Sequence, residues 1–209
     1  MENESSLFEL EFFKIAELIQ ALSTTGAVSI PLLREEPRLA LLQETKFFNF
    51  IPEDGVVGEG ENTVVKAFSS FECFSPNSLY LKLVAAFQTM LDKQLAGLPV
   101  YPFSSQLYFN SRVLQCYQPG KLGVSPHRDW RSAINLVCIF NIAGMGDFYL
   151  CSNRLGTNPV QITTKPGNVI FLRAPGFLAS QNRPFHYVAN IRSTRYSFSL
   201  RQRLKCKQT

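Results

Sequence analysis

Residues 195–201 read RYSFSLR. Strict alternation of polar and apolar side chains is the mark of a strand with two different faces. Arg195, Ser197, Ser199 and Arg201 fall on one face, and Tyr196, Phe198 and Leu200 on the other. An apolar face needs a core, so the strand is expected to pack there. The opposite face, with two guanidinium groups and two hydroxyls, suits either solvent or an anion held inside a barrel.

Upstream of this strand the same texture continues. QLYFNSRVLQCY (106–117), INLVCIFNI (134–142), DFYLCSN (147–153), VQITT (160–164), NVIFLRA (168–174) and FHYVANI (185–191) are short β-type runs. Turn signals separate them: QPGKLG, AGMGD, RLGTNP, KPGN and APGF. Many short strands at such spacing predict an antiparallel sandwich or barrel of jelly-roll type over 100–209.

The first 99 residues read differently. Ser6-Leu7-Phe8-Glu9 fits a capping box, and Phe8, Phe12, Ile15, Ile19 and Leu22 recur at helical spacing, which predicts one helix over 6–23. GAVSIPLL (26–33) predicts a short strand stopped by Pro31, and EPRLALLQETKFF (36–48) a second helix. IPEDGVVGEGENTVV (51–65), rich in glycine and acid, reads as a loop, either a solvated turn or a lid over a site. Ser75-Pro76 is expected to start a further helix that Gly97 ends. The fold class expected is α+β, with N-terminal helices supporting a jelly-roll core. Nothing of linker composition divides the chain, so 1–209 reads as a single domain, with 1–99 mainly helical support and 100–209 the core.

Composition narrows the setting. Of 209 residues, 45% are hydrophobic and 18 are Phe, enough for a packed core. The net charge of +5 is compatible with an anionic substrate or nucleic acid and decides little between them. Five cysteines at irregular spacing, without C-x-x-C, read as reduced thiols in a cytoplasmic protein. No apolar run reaches the length of a membrane span, the acidic N-terminus is unlike a signal peptide, and no obligate protein partner is evident.

The chain holds two histidines, His127 in SPHRDW and His186 in RPFHYV. In an extended segment His127 and Asp129 share a face, so an imidazole and a carboxylate can grip one cation. His186, in a later strand, can meet them inside a rolled sandwich. Two histidines and a carboxylate form the facial triad of non-haem iron sites. An aspartate beside a histidine also orients rings that bind nothing, and that alternative stands at this point.

CYQPGKLGVSPHRD, KPGNVIFLRA and HYVANIRSTRYSFSLRQ together resemble the Fe(II)/2-oxoglutarate-dependent dioxygenases, and within them the AlkB-like branch. The likeness covers about residues 106–203. It implies a double-stranded β-helix core in which His127, Asp129 and His186 bind Fe(II). It implies that Arg195 pairs with the distal carboxylate of 2-oxoglutarate, with Tyr117 and Ser197 beside it. Arg201 would lie near the carboxylate that chelates iron. Gln115 stands where the family usually has asparagine, and keeps the amide on a longer stem. The implied activity uses O2, releases succinate and CO2, and hydroxylates a substrate C–H bond.

Two substrate classes remain open. One is a small molecule, an amino acid or natural-product intermediate. The other is an alkylated base in nucleic acid, demethylated oxidatively. The acidic stretch that AlkB-like dealkylases carry after H-x-D is missing here, which favours the small molecule. Trp130 suits stacking on a planar substrate or a half-buried role fixing the loop, and Arg131 suits a phosphate, a carboxylate or plain solvent. Tyr101, Phe103, Tyr108 and Phe109 suit either core or a clamp at the site mouth. The basic RQRLKCKQT (201–209) suits a phosphate backbone or no partner. A cupin-like enzyme without 2-oxoglutarate, and a non-catalytic barrel, are the other classes.

Overall fold

The computed structural model describes residues 4–204. Its helices are α1 (Glu4–Leu7), α2 (Ile15–Thr25), α3 (Glu35–Glu44) and α4 (Leu79–Ala96). Its strands are β1 (Ala27–Pro31), β2 (Ile51–Pro52), β3 (Gly55–Val57), β4 (Val64–Lys66), β5 (Ser69–Phe71), β6 (Ser111–Tyr117) and β7 (Val124–His127). They continue with β8 (Ala133–Ala143), β9 (Asp147–Cys151), β10 (Val160–Ile162), β11 (Asn168–Arg173), β12 (Phe185–Ala189) and β13 (Arg195–Arg203).

The strands form two antiparallel sheets, ordered β1-β11-β8-β13-β6-β5-β2 and β10-β9-β12-β7-β4-β3. Side-chain alternation explains the layering. On β8, Leu136, Cys138, Phe140 and Ile142 join the core shared with the helices, while Val137 and Ile139 join the core shared with the second sheet. β11 divides the same way, Val169 and Phe171 against Ile170 and Leu172. β8 is therefore apolar on both faces, as a strand covered on both sides must be. On β13, Phe198 and Leu200 face the helices, and the arginines and serines are left for the space between the sheets.

The helices present matching stripes. Ile15, Leu18 and Leu22 of α2 are buried, as are Leu83, Phe87, Met90 and Leu91 of α4, at the spacing that lines one helix face. α3 is fastened by chemistry instead: the buried Arg38 donates from Nη1 to the Ile142 carbonyl of β8 at 2.8 Å.

Four expectations need correction. The helix expected over 6–23 is broken. Phe8 bridges Leu33, and the Glu9 amide donates to the Leu32 carbonyl at 2.8 Å, so extended pairing takes over there. Ser6 lies inside α1 and Glu9 pairs with Arg34, so the capping box does not form. α4 starts later than Ser75-Pro76, with Ser78 as its cap, the Oγ accepting from the Tyr80 amide. The segment 51–65 is not a plain loop, because β2, β3 and β4 lie within it or begin there, and β4 pairs with β7 through Lys66 and Val124. The N-terminal 99 residues thus extend both sheets as well as supplying helices. Lys205–Thr209, the end of the basic tail, and Cys206 fall outside the described residues.

Among the described residues, no helix is long and apolar enough to cross a membrane. Cys73, Cys116, Cys138 and Cys151 are free thiols.

Candidate metal centre and its buried arginine

β7 and β12 pair so that His127 and His186 lie directly opposite each other. Their rings stand 4.4 Å apart, centroid to centroid. The register slips between His186 and Val188, where β7 carries one extra residue. Pro126 sits in that irregular stretch, and a bulge tolerates a residue that has no N–H to give to the ladder.

Each ring is oriented from behind. His127 Nδ1 lies 2.9 Å from the Ser125 carbonyl and His186 Nδ1 lies 3.2 Å from the Pro184 carbonyl. A carbonyl oxygen only accepts, so Nδ1 carries the proton in both rings and Nε2 presents a lone pair. Phe148 stacks on His186 at 5.4 Å and seals it from solvent. Burial pushes the His127 imidazolium down to about 3, with the other ring adding to the shift and Asp129 opposing it. His186 is lowered too, again chiefly by burial. Both rings are therefore neutral at neutral pH, the form that binds metal.

Asp129 completes the group. Its Oδ2 is 3.9 Å from His186 Nε2, and its Oδ1 accepts from Arg201 Nε at 3.0 Å. Burial pushes its carboxyl up, but Arg201 and the two imidazoles outweigh burial and hold it well below the usual carboxylate range. Two neutral imidazoles and an ionised carboxylate are the right donor chemistry for a divalent transition metal. The spacing is looser than that of a finished site, where adjacent ligands of a six-coordinate ion stand about 3 Å apart. Among the described residues, no three His, Cys, Asp or Glu side chains reach that closure.

Arg195 is the second feature. It is 1% exposed, and its guanidinium lies 5.3 Å over the Tyr117 ring. Nη2 donates to Asn141 Oδ1 at 2.6 Å. Nε, Nη1 and the buried Ser197 Oγ make no well-formed hydrogen bond, with the Tyr117 hydroxyl their nearest polar neighbour. Burial lowers the Arg195 pKa, and the nearby Tyr117 opposes the shift. Burial likewise raises Tyr117, against the pull of the Arg195 charge and the Ser197 hydroxyl. A buried cation with two donors so poorly satisfied is costly unless an anion completes it.

The register explains why these residues gather. Arg195 pairs with Tyr117 and Ser197 with Gln115 across β13 and β6. Gln115 Oε1 accepts weakly from Ser199 Oγ at 3.5 Å. Asn141, on β8, is the residue sequence reasoning missed. A signal existed: it is a polar side chain on the inward parity of a mostly apolar run, INLVCIFNI.

Trp130 and Arg131 do not join this group. Trp130 is 72% exposed, which removes the half-buried reading. Arg131 lines a separate small cleft with Arg128 and Arg183. Of the four aromatics weighed as core or clamp, Phe103 and Phe109 are core, whereas Tyr101 and Tyr108 are partly exposed.

No family model matches the sequence, and no curated protein matches it. Solved structures do. A Pseudomonas putida prolyl-4-hydroxylase aligns at 15% identity and TM-score 0.64, over 92% of this chain and 100% of that one. A prolyl hydroxylase from Trichoplax adhaerens, in complex with a hypoxia-inducible-factor peptide fragment, aligns at 13% and 0.63, over 89% and 87%. A Burkholderia pseudomallei oxidoreductase of the 2OG-Fe(II) oxygenase family aligns at 14% and 0.58, over 90% and 89%. The chain shares the fold of these proteins.

Proposed function

We propose that this chain is an Fe(II)/2-oxoglutarate-dependent oxygenase, a single unit over 1–209 built on a double-stranded β-helix of the AlkB-like branch. The observation that carries the reading is Arg195, buried beside Tyr117 and Ser197 with two guanidinium nitrogens that make no close hydrogen bond, on the same strand face as Arg201, which donates to Asp129. The shared fold supports it, and so does the placement of Arg195 and Arg201 on one face of β13.

In this reading His127 Nε2, His186 Nε2 and the Asp129 carboxylate hold Fe(II). Together with 2-oxoglutarate and O2, the iron supplies oxidation of a substrate C–H bond, with release of succinate and CO2. The protein's part is positional. Ser125 and Pro184 carbonyls fix the tautomers, so no proton has to leave the rings before metal binds. Arg195 takes the distal carboxylate of 2-oxoglutarate through Nε and Nη1, the hydroxyls of Tyr117 and Ser197 add donors, and Asn141 keeps the guanidinium from turning. Arg201, now paired with Asp129, steadies that carboxylate and stands near the other end of the co-substrate. Gln115 supports the floor through Ser199. Apolar walls from Val137, Ile139 and Phe148 keep water out.

For the substrate we favour a small molecule, an amino acid or natural-product intermediate. The chain leaves Asp129 and enters β8 at Ala133 with no carboxylate between, so the acidic base-reading stretch is missing. The exposed Trp130 favours the second reading, an alkylated base stacked on its ring. Free thiols at all described cysteines support a reducing compartment such as the cytoplasm.

The test is anaerobic titration of the apoprotein with Fe(II) and 2-oxoglutarate, watching for the visible charge-transfer band of the chelate. A band that fades in Arg195→Ala supports the assignment. Metal binding with no band refutes it.

A further inference from the structure

Three guanidinium groups converge on a cleft of about 130 Å³ lined by Arg128, Arg131, Pro175, Gln181, Asn182 and Arg183. They come from two loops, the one after β7 and the one between β11 and β12. Arg183 Nη1 donates to the backbone carbonyl of Asp129, which anchors the cleft to the rim of the metal centre. Arg128 lies 4.0 Å over the Phe185 ring, next in sequence to His186.

The charges are unbalanced. Among the described residues, no carboxylate side chain lies within ion-pair distance of Arg128, Arg131 or Arg183. Arg154 adds a further positive charge close by, 5.8 Å over the same Phe185 ring. Burial and the neighbouring Arg131 and Arg128 charges lower the Arg183 pKa, with the Asp129 charge opposing them and falling short. Like charges kept together around a concave polar surface are the electrostatic footprint of an anion site. The fork geometry of guanidinium matches the oxygens of a phosphate, and Gln181 and Asn182 offer neutral amide donors beside it. The cleft has ample room for a tetrahedral group. One dianion would offset more of this charge than one carboxylate.

We propose that this cleft binds a phosphate group carried by the substrate. The phosphate would be held at the rim while the rest of the molecule reaches inward to the histidine pair. Calling that group part of the substrate rests on the oxygenase reading; binding of phosphate by the cleft does not.

The experiment therefore starts without iron or 2-oxoglutarate. Inorganic phosphate is titrated onto the full-length protein by calorimetry at low ionic strength, in wild type, Arg131→Gln, Arg131→Lys and Arg195→Met. The expected result is saturable binding that weakens at least tenfold in Arg131→Gln, less in Arg131→Lys, and not in Arg195→Met. Absence of saturable binding, or binding that Arg131→Gln leaves unchanged, overturns the assignment. Two competitors then identify the source: glycerol phosphate and a short single-stranded oligonucleotide. Displacement by glycerol phosphate alone supports a small phosphate monoester. Displacement by the oligonucleotide, with an affinity that falls steeply with salt, supports a nucleic-acid backbone phosphate. Displacement by neither marks an adventitious ion only and overturns the proposal. If phosphate binds as expected but the iron and 2-oxoglutarate titration gives no band, the cleft stands and the oxygenase reading falls.

Discussion

Replacing Arg195 with methionine should separate ligand binding from folding. The side chain is fully buried, spends one nitrogen on Asn141 and leaves Nε and Nη1 unpaired. Two charge-assisted hydrogen bonds to a carboxylate, at about 1.5–3 kcal/mol each, give about 3–6 kcal/mol, or roughly 10²- to 10⁴-fold in 2-oxoglutarate affinity. At a ligand concentration of about 100 times the wild-type Kd, binding stabilises wild type by about 2.7 kcal/mol. A variant bound 100-fold more weakly gains only about 0.4 kcal/mol under the same conditions. For a chain of this length the corresponding Tm shifts are about 5–10 °C and about 1 °C. The assay is a thermal melt with Mn(II) in place of iron, with and without 2-oxoglutarate. Without ligand, the variant should melt close to wild type, because losing the charge-assisted Asn141 bond, about 1.5–3 kcal/mol, is offset by removing a buried cation that lacks an anion. A ligand-induced shift that survives in Arg195→Met refutes the reasoning. So does a ligand-free variant that melts many degrees lower, since Arg195 would then be structural.

Alanine at His127, Asp129 or His186 should each abolish tight binding of one Mn(II) per chain, read by spin-resonance titration, while far-ultraviolet dichroism stays unchanged. The metal-free protein should lose stability on acidification. His127 titrates near 3 when folded and near 6.5 when unfolded, so its contribution is intact above about 6.5 and lost as pH falls. Between pH 7 and pH 5 that amounts to about 2 kcal/mol for His127, visible as a fall in the urea midpoint that His127→Gln should lessen but not remove, since His186 is lowered as well. An unchanged midpoint in wild type counts against the burial of that ring. Gly144→Ala should destabilise by about 2 kcal/mol or more, because Gly144 has φ +83° and an added Cβ would meet the Thr194 carbonyl and the Arg195 backbone. A melt within 1 °C of wild type would contradict that packing.

What was legible in the sequence was what is local. RYSFSLR announced its two faces through period-two alternation, and β13 keeps them. His127 and Asp129 could be placed on one side because they are two residues apart. Less legible was anything decided by distant partners. The break after Leu7 arises from Phe8 meeting Leu33, which no capping pattern near Ser6 can reveal. The glycine- and acid-rich segment 51–65 looked like a loop, yet β4 gains a place beside β7 through Val65, whose amide donates to Ser125 Oγ. Arg183 gave no motif at all, and its meeting with Arg128 and Arg131 depends on how two loops fold over the same rim. Asn141 was signalled only by its polarity in an apolar run, and its partner, Arg195, lies 54 residues away in sequence.

The histidine pair faces across a ladder of backbone hydrogen bonds, while the arginines around the cleft hang from the loops on either side. The two are held under different rules. A ladder moves only by whole register steps, each of which would turn a ring to the wrong face. A loop can double its length for about 0.6 kcal/mol. Insertions in those loops would thus reshape the rim at little cost while leaving the paired imidazoles where the ladder holds them.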